Sequence, residues 1–135
     1  MNAAVTQTPE GKYIMIIKGD RPDKTSGFNV LQALAVSDSP AGPFELTDKV
    51  VYDEINTEDA SVWYDDARKR FYAMFHAHGG NYLGMLTSED GMNWKKATEH
   101  VLMHKQYVLN GEIVKPQRVE RPSVYVENGV VLGTG

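Results

Sequence analysis

Apolar and polar positions along this chain recur with a period of two rather than 3.6. Lys12-Tyr13-Ile14-Met15-Ile16-Ile17-Lys18 is a β-rich apolar run, read as a strand buried on both faces. Asn29 to Val36 predicts a second strand. Ser37 to Pro43 follows as a turn punctuated by Pro and Gly, and Phe44 to Leu46 begins a short edge strand. The next stretch is more regular. Ser61 to Tyr64, Arg70 to His76, Asn81 to Thr87 and Asn93 to Lys96 read as four strands. They are separated by turns at Asp65–Lys69, His78–Gly80 and Ser88–Gly91. No segment carries a helical period of useful length, and there is no Gly-rich phosphate loop.

The pattern then repeats. Leu34 to Asp38 before Pro43-Phe44 matches Gly84 to Asp90 before Asn93-Trp94: a strand ends in a Ser/Asp turn and an aromatic residue opens the outer strand. Ala60-Ser61-Val62-Trp63-Tyr64 matches Pro122-Ser123-Val124-Tyr125-Val126 at an offset of 62 residues (122 − 60). Four short antiparallel strands in about 40 residues make one β-propeller blade. The expected fold is therefore all-β: a single partial propeller domain over 1–135, with about two to two and a half four-stranded antiparallel blades. Its units fall at about 12–48, 59–97 and an incomplete 120–135. A small β-sandwich shares the strand spacing, and the repeat separates the two.

By this count the first unit lacks its innermost strand. The last unit supplies an innermost and a second strand and stops. Open edges and uncovered blade faces favour pairing with another chain. A homo-oligomer is expected, a dimer favoured, with the C-terminal strands of one copy completing the first unit of the other.

Charge and composition narrow the partners. The formal net charge is -4, which disfavours a phosphate backbone and so a nucleic-acid partner. The richest apolar run, Tyr13 to Ile17, is too short to span a bilayer, so no membrane partner is expected. Met1 to Glu10 lacks the basic-then-apolar layout of a signal peptide. The chain has no Cys, which excludes disulfides, thiolate metal sites and a Cys nucleophile. No cofactor and no metal is expected.

Three motifs, in order, carry a resemblance. Ala35-Val36-Ser37-Asp38-Ser39-Pro40-Ala41-Gly42-Pro43-Phe44 resembles the A-x-S-x-S-P-x-G-P-F blade ending of five-bladed propeller glycoside hydrolases of the family 43 type, the arabinanases and β-xylosidases. Asp59 to Asp66 resembles that family's D-P-S-V-F-x-D-D strand, and Glu120 to Tyr125 its E-G-P-H-x-Y strand. The match runs from about Lys12 to the end, as a truncated portion of the family fold. It implies an oligo- or polysaccharide partner. It also implies three carboxylates at the inner strands: an Asp base, an Asp that raises the acid's pKa, and a Glu acid. By motif Asp59 is the pKa-tuning Asp and Glu120 the general acid. A neighbouring negative charge keeps such an acid protonated near neutral pH, and an inverting pair stands about 6.5–9.5 Å apart.

The chain departs from the pattern at two positions: Ala60 stands for the family's Pro and Arg121 for its Gly. Arg121 can clamp an anionic or hydroxyl-rich sugar, or pair with Glu120 and lower its pKa. The general base belongs to a unit upstream of Lys12, where only eleven residues lie. Asp20 and Asp23, in a Pro-containing loop, replace it poorly. Two readings stand: a glycoside-hydrolase-like enzyme portion, or a catalytically inactive carbohydrate-binding or self-assembling module.

Other residues have a plain reading beside the functional one. His76 and His78 share a face by their spacing and are candidates for metal or sugar contact, with a solvated strand end the favoured reading. Trp63 either stacks on a sugar or belongs to the core. Asp59 itself could cap a turn. His100 and His104 read as surface residues and Trp94 as packing. Asp65-Asp66 and Glu89-Asp90-Gly91 read as hairpin turns without the spacing of a calcium loop.

Overall fold

The computed structural model describes residues 3–20, 30–77, 82–104, 106–116, 121–128 and 130–134. They are all-β, in antiparallel sheets, with no helix among them. The first sheet is a meander in the order β1 (Ala3–Gln7), β2 (Tyr13–Asp20), β3 (Val30–Ser37) and β4 (Glu45–Tyr52). The second repeats it with β5 (Thr57–Asp65), β6 (Arg70–Ala77), β7 (Tyr82–Ser88) and β8 (Lys95–His104). Two separate hairpins follow, β9 (Tyr107–Leu109) with β10 (Glu112–Val114), and β11 (Val124–Glu127) with β12 (Val130–Thr134).

The three-strand count for the first unit is corrected by β1, which pairs with β2 from Ala3↔Ile17 to Gln7↔Tyr13. Its alternation of exposed and half-buried positions, Ala3 to Gln7, carries only small and polar residues besides Val5, so its apolar signal is weak. Two outer strands are also longer than expected. β4 runs to a buried Val51 and Tyr52, and β8 runs to His104 with Val101 to His104 exposed. β2 is not buried on both faces: Ile14 and Ile16 are buried and Tyr13, Met15 and Ile17 are half-buried. The β9–β10 hairpin has no counterpart in the sequence reading.

One core joins the two meanders. Ile14, Ile16 and Leu34 of the first sheet pack with Val62, Phe71, Ala73, Phe75 and Leu86 of the second. The period of two explains this face: Phe71, Ala73, Phe75 and Ala77 alternate on β6, so all four side chains point one way. Phe75 lies across its ladder partner Gly84, where an added Cβ would meet the ring at 2.2 Å. The strand can place an aromatic ring there only because residue 84 has no side chain.

The sheets also repeat an irregularity. The β3–β4 ladder holds at Ala33↔Val50 and then slips before Ala35↔Leu46. The β7–β8 ladder holds at Gly84↔Val101 and slips before Leu86↔Lys96. The first of these pairs differ by 51 residues on both strands (84 − 33 and 101 − 50). An outer-strand bulge is thus a feature of the repeat, not an accident of one sheet.

The end of β4 ties the sheets together. Tyr52 stacks on Phe75 with ring centroids 5.1 Å apart, and its hydroxyl donates to Glu54 at 3.0 Å. Lys96 closes the group with a 2.6 Å ion pair to Glu54. Burial and the nearby Glu54 carboxylate push the Tyr52 hydroxyl well above its ordinary pKa. His100 is not a surface residue as expected. It lies half-buried among Tyr52, Phe75 and Tyr82, at centroid distances of 5.9, 5.7 and 6.1 Å. His104 is exposed, and Trp94 packs near Phe71 with its indole N–H donating to Gly91 O at 2.8 Å.

The meander alternates its connections between two ends. At one end lies the 53–56 connection from β4 to β5. At the other end lie 8–12, 38–44, 66–69 and 89–94. The second set is tightly hydrogen-bonded. Asp65 takes the Arg68 backbone N–H at 2.9 Å and its guanidinium at 2.8 Å. Asp90 accepts from Ser88 Oγ at 3.0 Å and from the backbone N–H groups of Met92 and Asn93 at 2.8 Å each. Both Asp-containing turns are therefore structural, as their spacing predicts.

Candidate functional site

The site begins with backbone geometry. Asp59 has φ 58° and Arg121 φ 56°, the left-handed region that L side chains enter at a cost. The two residues occupy the same place in the repeat, 62 apart (121 − 59). At Asp59 the cause is visible: the β5–β6 ladder runs Glu58↔His76 and then Ser61↔Met74, so Asp59 and Ala60 together face one residue of β6. This is a bulge whose first residue is left-handed, a conformation that usually selects Gly. Arg121 therefore stands at a position that a glycine would fill without strain.

Both residues line one open groove, about 490 Å³, with Ala3–Val5 of β1, Ala60–Val62 of β5 and Pro122–Ser123 ahead of β11. The groove lies at the end of the sheets that carries the 53–56 connection. A second stretch of about 580 Å³ continues along the same three strands, from Val5–Pro9 past Ser61–Tyr64 to Val124–Val126. The first strands of three successive units thus share one channel.

Asp59 is 8% exposed, so its carboxyl is held rather than swinging in solvent. Glu58, beside it, pairs with Lys18 of β2 at 2.5 Å. The bond to Glu58 raises the Lys18 pKa, and Asp59 and Asp20 add to it through space. The floor of this end is consequently acidic, with one committed ammonium. Arg121 is exposed and makes no ion pair among the described residues. The groove pairs a fixed acceptor with an available five-donor guanidinium.

The other sequence candidates fall in different places. Glu120 and His78 lie outside the described residues. His76 is not a solvated strand end: it is 4% exposed, and it belongs to β6, the second strand of its sheet. It shares the β6 face of Tyr72 and Met74, away from Phe75. Trp63 is 6% exposed and stacks on Tyr72 at 5.7 Å, which places it in the core while its edge reaches the channel. The structure therefore brings together Asp59 and Arg121, with Trp63 further along the same channel.

One channel residue was passed over. Tyr125, in β11, is 62% exposed and lines the stretch shared with Trp63 and Tyr64. Its signal was available: the repeat sets Tyr125 against Trp63, and β11 alternates half-buried Val124 and Val126 with exposed Tyr125.

Among the described residues no group of three His, Asp or Glu side chains is placed to hold a metal ion. No helix of the described residues is long and apolar enough to cross a membrane. Compared with known protein families, curated proteins and solved structures, the chain matches none.

Proposed function

We propose that the chain is a portion of a β-propeller related to the family 43 glycoside hydrolases, and that the Asp59–Arg121 groove binds an oligo- or polysaccharide. One observation carries this reading: two residues of opposite charge, at equivalent positions of the repeat, are both held in a costly left-handed backbone and both face the channel shared by β1, β5 and β11. Strain of this kind costs about 1–3 kcal/mol per residue and persists where side-chain placement matters.

The propeller reading rests on the same channel. In a propeller each blade contributes its first strand to the axis, and β1, β5 and β11 are the first strands of their units. The chemistry suits a sugar. Asp59 accepts from ring hydroxyls, Arg121 donates in a planar fork, and the exposed Tyr125 ring offers an apolar face for stacking. Asp59 as the pKa-tuning carboxylate and Glu120 as general acid complete the enzyme version of the proposal. Binding is the favoured activity and hydrolysis the alternative.

Calorimetric titration with arabino- and xylo-oligosaccharides tests it. Saturable binding is expected, weakened at least about tenfold, or 1.4 kcal/mol, by Arg121→Ala and by Asp59→Asn. Absence of binding to neutral and uronate-containing oligosaccharides alike would overturn the reading. Release of chromogenic aglycone above a Glu120→Gln control would instead establish hydrolysis.

A further inference from the structure

The Asp59–Arg121 groove holds two charges that do not cancel. Among the described residues that line it, Asp59 and Arg121 are the charged ones. The rest of the wall is small or apolar, with Ser61 and Ser123 offering hydroxyls. Arg121 is exposed and makes no ion pair among the described residues. The ammonium of the same end, Lys18, is already bound to Glu58 at 2.5 Å.

A guanidinium at this position is a specific choice. Its backbone φ of 56° is one that Asn and Asp enter more readily than Arg. A position that needed only an N–H donor for a hydroxyl would be served by Asn at less conformational cost. Arg brings two things that Asn lacks, a permanent positive charge and a planar fork of donors. Both match a carboxylate, which accepts two parallel N–H bonds in one plane. Charge-assisted bonds of this kind are roughly twice as strong as bonds to a neutral hydroxyl. On the β5 side the Asp59 carboxylate repels an anion and accepts from hydroxyls. The groove is thus polarised: one wall suits a hydroxyl face, the other an acidic substituent.

We propose, resting on the saccharide reading of this groove, that it selects acidic sugars. The carboxylate of a uronic acid residue sits on the Arg121 guanidinium, and hydroxyls of the same or the adjoining residue donate to Asp59. Lys18 does not compete for the carboxylate, because Glu58 holds it.

Calorimetric titration of the full chain with a glucuronate-substituted xylo-oligosaccharide is the test. Its reference is the same compound after carboxyl reduction, which replaces the uronate by the neutral hexose and changes nothing else. The uronate form is expected to bind at least about tenfold more tightly. Arg121→Gln, which keeps an N–H donor and loses the charge, should bring that ratio close to one, with thermal unfolding confirming that the variant is folded. Independently of any variant, raising sodium chloride from about 0.05 to about 0.5 M should weaken binding of the uronate form several-fold and leave the reduced form unchanged. Equal binding of the two forms by the wild type overturns the uronate assignment and leaves saccharide binding standing. A preference that survives Arg121→Gln, or that is indifferent to salt, places the selectivity elsewhere and overturns it as well. Tighter binding of the matching sulfate ester would overturn the choice of a carboxylate. Binding of neither form removes the saccharide reading and this inference with it.

Discussion

The hydroxyl of Thr47 donates a 2.8 Å hydrogen bond to the carbonyl oxygen of Leu34. Leu34 is the residue skipped where β3 and β4 lose register, so its carbonyl has no ladder partner on that side. In the second sheet the skipped residue is Met85, and His100 Nδ1 lies 2.8 Å from its carbonyl oxygen. The same backbone defect is closed by a hydroxyl in one sheet and an imidazole in the next. Thr47→Val should therefore cost about 1–2 kcal/mol, the price of an unpaired half-buried acceptor. Urea unfolding checks it, and Thr47→Ser should recover most of the loss.

Gly84 makes a sharper prediction. A Cβ there meets the Phe75 ring, which is 1% exposed and cannot swing away. Gly84→Ala should destabilise by about 1–3 kcal/mol through overpacking. The double variant with Phe75→Leu should be less destabilised than the sum of the two single changes, a coupling that a double-mutant cycle reads directly.

Acid should loosen the tight-turn end. The Asn93 backbone N–H, opposed in part by burial, and the further bonds from Asn93, Met92 and Ser88 hold the Asp90 carboxyl well below its ordinary range. At Asp65 burial works against ionisation, and the bonds from Arg68 outweigh it. Both groups are depressed in the folded chain. Their contribution is fully present above the unfolded carboxylate pKa of about 3.9 and is lost as pH falls through the lower folded values. Urea midpoints should accordingly be insensitive to Asp90 between pH 5 and 7, on the order of neutral conditions, and fall in acid. Asp90→Asn should show a shallower fall below about pH 4 than the wild type.

Arg121→Gly should separate stability from recognition. Gly enters the left-handed region freely, so the change is expected to be neutral or to stabilise by up to about 1 kcal/mol. The same change should weaken oligosaccharide binding, because the guanidinium is gone. Thermal unfolding and calorimetric titration on one preparation test both halves. A loss of stability would mean that Arg121 holds the groove together.

The all-β character and most strands of the two meanders were legible because a period of two survives in Ile14/Ile16 and in Phe71/Ala73/Phe75. β1 was not, since Ala3, Ala4, Thr6 and Gln7 carry almost no apolar signal and pair only because β2 offers an edge. The far halves of β4 and β8 were hidden by bulges that break the alternation. At the site, the repeat pointed to Asp59 and Arg121, while the motif alone gave no hint that they share a backbone conformation. His76 was misread because its burial comes from the second strand's place within the sheet, a tertiary fact. Tyr125 is legible only through the repeat that sets it against Trp63, because a strand of four residues carries little alternation of its own.

The sorting of connections has a practical side. The 66–69 and 89–94 turns are pinned by Asp65 and Asp90 and lie at the far end of their strands from Asp59. They form a fixed scaffold to which a fluorophore, a tag or a surface tether can be attached without crowding the groove. The 53–56 connection sits at the other end, with Asp59. A library that varies that segment changes the rim of the groove and leaves the frame alone. The meander thereby divides the chain into a handle and a tunable mouth.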